Sequence, residues 1–222
     1  MFDPTCFTRD WIYSFKGQAA HRNIQPEILE KMIYALYLVC LLKVHGLDFV
    51  FKGGTSLILL LESENRFSID VDIICLAERE KLEKLLDIIV KHSSFTKVIL
   101  DERRSYNDGV PKAHYVFEYE SVIDPASHGV ILLDILLEKS NYPQHIDLPL
   151  RAKWIEPKEE ISIITPSIEA ITGDKLTAFA PNTIGIPYYK GEDSFSMEIC
   201  KQLYDIGVLF QRIENTEVVY QS

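Results

Sequence analysis

A pair of aspartates inside an apolar run constrains the fold of this chain more than any other feature. Residues 69–75 read IDVDIIC, in which a single valine separates Asp70 from Asp72. This alternation predicts a β-strand whose apolar residues face one side while both carboxylates face the other. A charge in such a strand is costly unless it is solvated or paired. The polar face of the strand is therefore either exposed to water or placed against a cation.

A divalent metal ion is the cation that suits this pair. Adjacent carboxylates repel each other unless a cation lies between them, and Mg²⁺ prefers one or two carboxylates together with substrate phosphates. Upstream, a predicted strand (DFVFK) ends at Gly53 and Gly54 and leads through Thr55 and Ser56 into a predicted helix. Such a turn offers free backbone N–H groups to a phosphate, and glycine allows close approach. The two motifs together predict a site for a Mg²⁺–nucleotide.

Two more charged residues stand in apolar surroundings. Asp134 lies in the run VILLDILLE, with leucines on its own face, so it is either a third metal ligand or the partner of a buried Arg or Lys. Lys175 falls within the apolar arc of a predicted helix, so its side chain either snorkels to the surface or reaches an anion. Three aspartates that need positive charge favour a functional lysine.

The order of the predicted elements indicates an α/β (α+β) fold with a central mixed sheet flanked by helices and a helical C-terminal part. Hydrophobic spacing predicts helices at 26–46, 55–63, 78–93, 166–180 and 194–212. Strands are predicted at 48–52, 68–76, 95–100, 112–121, 129–138, 151–155 and 161–165. We expect residues 1–165 to form the core with its N-terminal helix, and residues 166–222 to form a helical region packed on it as one continuous globular unit.

Charge and cysteine usage narrow the class of protein. The net charge of −10 argues against broad, non-specific nucleic-acid binding, although a local basic patch remains compatible with it. No apolar stretch reaches the length of a membrane span, and the N-terminus does not resemble a signal peptide. Cys40 and Cys75 lie in apolar runs, and with Cys6 and Cys200 they form no CxxC pair, which favours buried thiols in a reducing compartment. We expect a cytoplasmic protein.

Five motifs in a fixed order resemble one family. They are GGTSL at 53–57, RFSIDVD at 66–72, the strand aspartate Asp134, DKLTA at 174–178, and KQLYD at 201–205. Together they resemble the AbiEii/AbiGii-type toxins of bacterial abortive-infection and toxin–antitoxin systems, which belong to the minimal nucleotidyltransferases of the DNA polymerase β superfamily. The resemblance spans about residues 45–212 and implies a nucleotidyltransferase-like fold.

The resemblance also implies roles for individual residues. The residues implied to bind the nucleotide are Gly53, Gly54, Thr55, Ser56, Arg66, Ser68 and Lys175. Asp70, Asp72 and Asp134 are implied to bind Mg²⁺ or Mn²⁺, and Asp205 to be an essential acidic residue. The chain lacks the arginine that many members carry after the KLxA helix, so that role is vacant or passes to Lys190. Lys201 replaces the arginine that precedes the final aspartate, and a plain Lys201–Asp205 surface pair is the alternative reading of that helix.

The function implied is metal-dependent transfer of a nucleoside monophosphate from an NTP to an acceptor hydroxyl, by a toxin with a cognate antitoxin encoded nearby. The acceptor implied is tRNA or another RNA, which a basic surface would have to meet; candidate residues are Arg22, Lys52, Lys112, Arg151, Lys153 and Lys190. The alternatives are a small-molecule or protein hydroxyl as acceptor, a DxD sugar-nucleotide glycosyltransferase, and a non-enzymatic binding protein that kept the fold.

Overall fold

The structure, a computed structural model, describes residues 1–16, 24–61, 68–106, 111–181 and 183–222. Its α-helices are α1 (Arg9–Ser14), α2 (Pro26–Val44), α3 (Gly53–Leu61), α4 (Arg79–Lys91), α5 (Ile168–Phe179), α6 (Ser196–Leu209) and α7 (Thr216–Gln221). Its strands are β1 (Val50–Lys52), β2 (Val71–Ile74), β3 (Phe95–Leu100), β4 (Lys112–Glu120), β5 (His128–Leu136), β6 (His145–Pro149), β7 (Ser162–Pro166), β8 (Tyr189–Lys190) and β9 (Asp193–Ser194). Short 3-10 helices cover Pro4–Phe7 and Phe210–Arg212.

The chain divides into two compact units. The first contains Met1–Ser140 and Asp147–Ile164, and the second contains Asn141–Ile146 and Thr165–Ser222. In the second unit α5 begins at its N-cap Ser167, whose hydroxyl accepts from the Ala170 N–H, and contacts both α6 and α7. The predicted boundary after residue 165 did not include the Asn141–Ile146 segment in the second unit. That the two parts form one continuous globular unit stays a prediction.

A mixed sheet of five strands in the order β1-β2-β5-β4-β3 forms the centre of the first unit. β2 and β5 run parallel, and the other neighbouring strands pair antiparallel. β4 and β5 alternate between buried and half-buried residues. Residues such as Tyr115 and Leu133 are buried on one face, and residues such as Asp134 are only half-buried on the other. The mixed α/β fold predicted from the sequence is confirmed.

The helix α2 covers the buried face of this sheet. Pro26 occupies its first turn, as predicted, and nearly every residue from Leu29 to Leu42 is buried. α2 contacts β2, β5 and α4, so its apolar surface meets partners on several sides. Burial all round explains why the helix is apolar all round rather than amphipathic.

The region predicted as a strand at 151–155 is a turn. The Arg151 N–H donates to the Pro149 carbonyl (2.9 Å) and the Ile155 N–H to the Ala152 carbonyl (3.2 Å), so short-range bonds occupy the donors that a strand would offer to a neighbour. The Trp154 carbonyl accepts from the indole of Trp11 at 2.9 Å. The strand β6, which the sequence analysis did not predict, pairs with β7 instead. Segment 151–155 was therefore predicted wrongly.

The burial of the cysteines matches the expectation from the sequence. Cys6, Cys40 and Cys75 are buried and Cys200 is exposed, which confirms the buried thiols predicted for Cys40 and Cys75. Burial raises the pKa of the Cys75 thiol to about 11. Within the part of the chain that the structure describes, no helix combines the length and apolar character needed to cross a bilayer.

Candidate active site

Four charged or titratable residues form a row across the half-buried face of the sheet. The register pairs Lys52 of β1 with Asp72 of β2, Asp72 with Asp134 of β5, and Asp134 with His114 of β4. Side chains of directly paired residues project from the same face of a sheet. The sheet therefore brings two aspartates that lie far apart in the sequence onto neighbouring strands, with a lysine and a histidine at the ends of the row.

The first residue of α3, directly after β1, lies against Asp72. Gly53 has a φ of +77°, and a β-carbon built there would overlap the Asp72 carboxylate, so only glycine fits both the backbone and the space. The Thr55 hydroxyl donates to the Asp70 carbonyl at 2.5 Å, and the Ser56 hydroxyl donates to the Gly53 carbonyl at 2.9 Å. The first of these bonds fastens the start of α3 to the segment that carries both aspartates, and the second lies within the first turn of the helix.

The partners of Asp134 differ from those considered in the sequence analysis. Its Oδ1 lies 2.5 Å from Nδ1 of His114, and its Oδ2 lies 3.9 Å from the Arg104 guanidinium. His114 is almost fully buried, whereas the Arg104 side chain is about half exposed. A histidine rather than a buried arginine or lysine is thus the main partner of this aspartate.

The oxygen donors of this face decide whether it can hold a divalent metal. Among the described residues, no group of three or more His, Cys, Asp or Glu side chains is gathered closely enough to hold an ion. Asp72 and Asp134 are nonetheless direct neighbours in the parallel ladder. One or two carboxylates are the protein ligands that Mg²⁺ uses when phosphate oxygens complete its shell. The donor set therefore fits a metal that arrives with a nucleotide, and a role for Asp70 as a further ligand stays a prediction.

In the second unit, Lys175 of α5 pairs with Asp205 of α6. Lys175 Nζ lies 3.1 Å from Asp205 Oδ2, and both side chains are buried, with 7% and 2% exposed. The lysine side chain thus reaches an anion, which is one of the two outcomes predicted for it. The alternative reading of a plain Lys201–Asp205 surface pair is wrong, because Asp205 is buried while Lys201 is exposed.

The buried residues of α6 are Ile199, Asp205, Ile206 and Leu209. Leu203 of the same helix is 53% exposed. The buried face of the helix thus includes the carboxylate that pairs with Lys175 of α5.

The remaining residues implied to bind nucleotide lie in several settings. Gly54 is half-buried in the first turn of α3, and Ser68 is half-buried in the segment before β2. Thr55 and Ser56 are fully buried, and Arg66 lies outside the described residues. Among the candidates for a basic surface, Lys52 and Lys112 are half-buried, Arg151, Lys153 and Lys190 are exposed, and Arg22 lies outside the described residues.

His114 is the site residue that the sequence analysis missed. The strand KAHYVFEYE places it on the same face as Lys112 and Glu118, opposite the buried Tyr115. That alternation marks His114 as belonging to the polar face of the strand. Its partner Asp134 becomes apparent only through the pairing of β4 with β5, which no local pattern specifies.

Comparison with known proteins decides the family. Residues 37–220 match the model of the family described as "Nucleotidyl transferase AbiEii toxin, Type IV TA system". The chain belongs to this family. It is therefore a nucleotidyltransferase of the toxin–antitoxin type, which confirms the resemblance, and membership implies a cognate antitoxin. No curated protein matches the chain significantly.

Solved structures share the fold of this AbiEii family member. JHP933 from Helicobacter pylori superposes with a TM-score of 0.53 at 16% identity, over 86% of this chain and 72% of its own. An antigenic nucleotidyltransferase-like protein from Paracoccidioides brasiliensis gives 0.54 at 14%, over 86% and 85%. The nucleotidyltransferase toxin MenT4 from Mycobacterium tuberculosis gives 0.54 at 18%, over 78% of this chain and 59% of its own. At these identities the likeness concerns the fold alone.

Proposed function

We propose that this AbiEii family member transfers a nucleoside monophosphate from an NTP to a hydroxyl group of an acceptor, with Mg²⁺ or Mn²⁺ as cofactor. The acceptor oxygen forms a bond to the α-phosphorus and loses its proton. The bond between the α-phosphorus and the bridging oxygen breaks, and pyrophosphate leaves with the electron pair. Such transfers require mainly positioning and charge neutralisation from the protein.

One observation carries this proposal: Gly53, the first residue of α3, lies against the Asp72 carboxylate, and Asp72 is paired in register with Asp134. The segment proposed to bind phosphate therefore adjoins the carboxylates proposed to bind the metal. A triphosphate held by the backbone N–H groups of the turn would thereby reach the metal-binding carboxylates. Neither motif supports nucleotide transfer as strongly when it stands alone.

The metal is assigned to the aspartates of this face. Asp72 and Asp134, together with Asp70 two residues before Asp72, are proposed to hold it through their carboxylate oxygens. When bound, the metal would lower the pKa of the acceptor hydroxyl and stabilise the charge that develops on the pyrophosphate. The contribution of the chain is to hold the two neighbouring carboxylates on one rigid face of the sheet.

Lys175 is proposed to contact the nucleotide phosphates. Its ammonium group carries three donors, and the 3.1 Å contact with Asp205 occupies only part of them. Asp205 is proposed to hold the lysine in place and to offset the cost of burying its charge. This role would explain why both positions match motifs of the family.

The acceptor is proposed to be tRNA or another RNA. The exposed basic residues Arg151, Lys153 and Lys190 offer phosphate contacts in a chain whose net charge is −10. A small-molecule or protein hydroxyl is the second candidate, which the acidic net charge favours. Family membership supports nucleotide transfer over a DxD glycosyltransferase or a non-enzymatic binding protein.

Labelled NTPs incubated with separate pools of tRNA, protein and aminoglycosides test the reaction and its acceptor together. We expect wild-type protein to label tRNA in the presence of Mg²⁺, and Asp72→Asn to abolish labelling. Asp147→Asn is the matched control, because Asp147 is an exposed strand aspartate away from the row. Labelling of aminoglycosides or protein instead would redirect the proposal to that acceptor. Turnover of UDP-sugars without NTP turnover would contradict it.

Expression in bacteria supplies an independent test of the toxin activity. We expect growth arrest from wild type and from Asp147→Asn, and normal growth with Asp72→Asn produced at the same level. Normal growth with wild type, together with the absence of nucleotide transfer to any pool, would favour the non-enzymatic alternative.

A further inference from the structure

His114 contacts Asp134 of the candidate active site, and the proposed function gives this histidine no role. Its Nδ1 lies 2.5 Å from Oδ1 of Asp134, and the two residues are directly paired between β4 and β5. Its Nε2 is buried and has no hydrogen-bond partner among the described residues. Leaving a buried ring nitrogen without a partner costs free energy. Among the described residues, the contact between Nδ1 and Asp134 is therefore the polar contact that orients the ring.

The direction of the hydrogen bond follows from the two groups. A carboxylate oxygen accepts, so Nδ1–H of His114 is the donor in this contact. The bond engages one oxygen of Asp134 and thereby fixes the torsion of a carboxylate whose backbone the sheet already holds. Metal-binding groups are commonly oriented in this way by a second residue that donates to them.

A separate segment holds His114 itself. The His114 N–H donates to the Ser105 hydroxyl at 2.8 Å, and the His114 carbonyl accepts from the Asp101 N–H at 2.8 Å. The same segment carries Arg104, whose guanidinium lies 3.9 Å from the other oxygen of Asp134. Residues 101–105 therefore hold His114 from the side of β4 that faces away from β5. The same residues place the positive charge of Arg104 beside Asp134.

We propose that His114 is a positioning residue that holds Asp134 in the orientation needed to bind the metal–nucleotide. This inference rests on the proposed function and extends it to a residue that is not among the motifs of the family resemblance. A histidine that only filled space would act through the shape of its ring. The role proposed for His114 depends instead on the hydrogen-bond donor at Nδ1.

Asparagine and glutamine provide the decisive comparison. His114→Asn keeps an amide N–H near the position of Nδ1, whereas His114→Gln places its amide near the position of Nε2. His114→Phe keeps the ring and removes both nitrogens. The matched control is His128→Phe, because His128 and Glu120 form a pair across the same two strands, 3.4 Å apart and exposed.

Two readouts are measured on each variant: the dissociation constant of Mn²⁺ in the presence of a non-hydrolysable NTP analogue, by electron paramagnetic resonance of free Mn²⁺, and kcat and KM for nucleotide transfer. We expect His114→Gln and His114→Phe to weaken Mn²⁺ binding and lower kcat about 10- to 100-fold. His114→Asn should stay within about threefold of wild type, and His128→Phe should match wild type. Circular dichroism and thermal unfolding establish that each variant is folded.

Distinct outcomes separate the inference from the proposal beneath it. If wild type binds Mn²⁺ and transfers nucleotide while His114→Gln behaves like wild type, the positioning role is wrong and the proposed function stands. If His114→Asn and His114→Gln weaken Mn²⁺ binding equally, the loss of the donor at Nδ1 is not the cause of the weaker binding, and the inference is also wrong. If wild type neither binds Mn²⁺ nor transfers nucleotide, the metal-dependent function fails, and the inference fails with it.

Discussion

At the scale of single residues, Gly53 has the most demanding position in the site. Its φ of +77° lies in the left-handed region, and a β-carbon there would overlap the Asp72 carboxylate. A side chain would therefore strain the backbone and displace the aspartate at the same time. Gly46, with a φ of +85° and open space around it, faces only the first of these penalties.

This contrast predicts different outcomes for two alanine substitutions. Both Gly53→Ala and Gly46→Ala should lose about 1–2 kcal/mol of unfolding free energy from left-handed strain. Gly53→Ala should in addition lower nucleotide transfer at least 100-fold, because Asp72 must move, whereas Gly46→Ala should keep wild-type activity. Urea unfolding and the labelled-NTP assay measure the two effects. Equal activity of both variants would show that the close approach at Gly53 does not matter for the reaction.

At the scale of secondary-structure elements, the buried pair Lys175–Asp205 joins α5 to α6. Neither charge is solvated, so the ion pair offsets part of the cost of leaving water for each of them. Removing one partner takes this compensation away from the other, whereas replacing both with apolar residues removes the cost altogether. The pair is thus a constraint on stability that can be separated from any contact with nucleotide.

A double-mutant cycle on these helices tests both aspects. Lys175→Met and Asp205→Leu should each cost about 3–5 kcal/mol of unfolding free energy, and the double variant should be more stable than either single variant. The double variant should nevertheless remain inactive, because the lysine proposed to contact phosphates is missing.

Lys201→Met is the control, because Lys201 is an exposed lysine on the same helix as Asp205. It should change neither the unfolding free energy nor the activity. Strictly additive unfolding free energies in the cycle would mean that the two charges do not interact. Recovered activity in the double variant would remove Lys175 from the proposed mechanism.

At the scale of the whole molecule, buried acids that keep their protons determine the response to alkali. Burial is the main cause that raises the pKa of Tyr34, Tyr115 and Tyr119 above the usual range, and burial raises that of Cys75 to about 11. The unfolded chain releases these protons near the ordinary values of about 10 for tyrosine and 8.5 for cysteine. Between those values and the raised ones, the unfolded state binds fewer protons than the folded state.

We therefore expect the unfolding free energy to fall as the pH rises from about 8 to 11. Urea titrations across this range measure the slope. Tyr119→Phe should reduce the alkaline loss, and it should cost little near neutral pH because the Tyr119 hydroxyl is buried with no hydrogen-bond partner among the described residues. A stability curve that stays flat to pH 11 would contradict this account.

Local patterns were sufficient for most elements and for the two motifs of the site. Alternation identified β4 and β5, apolar spacing with Pro26 identified α2, and the glycine pair located the turn before α3. Each of these signals depends on neighbours within a few residues, where backbone preference and burial act together. The segment 151–155 failed because contacts from the N-terminal region and local turn bonds outweighed its strand propensity.

The partners of the charged residues depended on tertiary structure. The sequence required that Asp72, Asp134 and Lys175 find compensation, because an unpaired buried charge is too costly in any fold. It left their partners open, since a strand or helix specifies the face of a side chain but not the element that will lie opposite. Pairing of β4 with β5 joined Asp134 to His114, and packing of α5 on α6 joined Lys175 to Asp205, because sheet register and helix contact are set by the whole core.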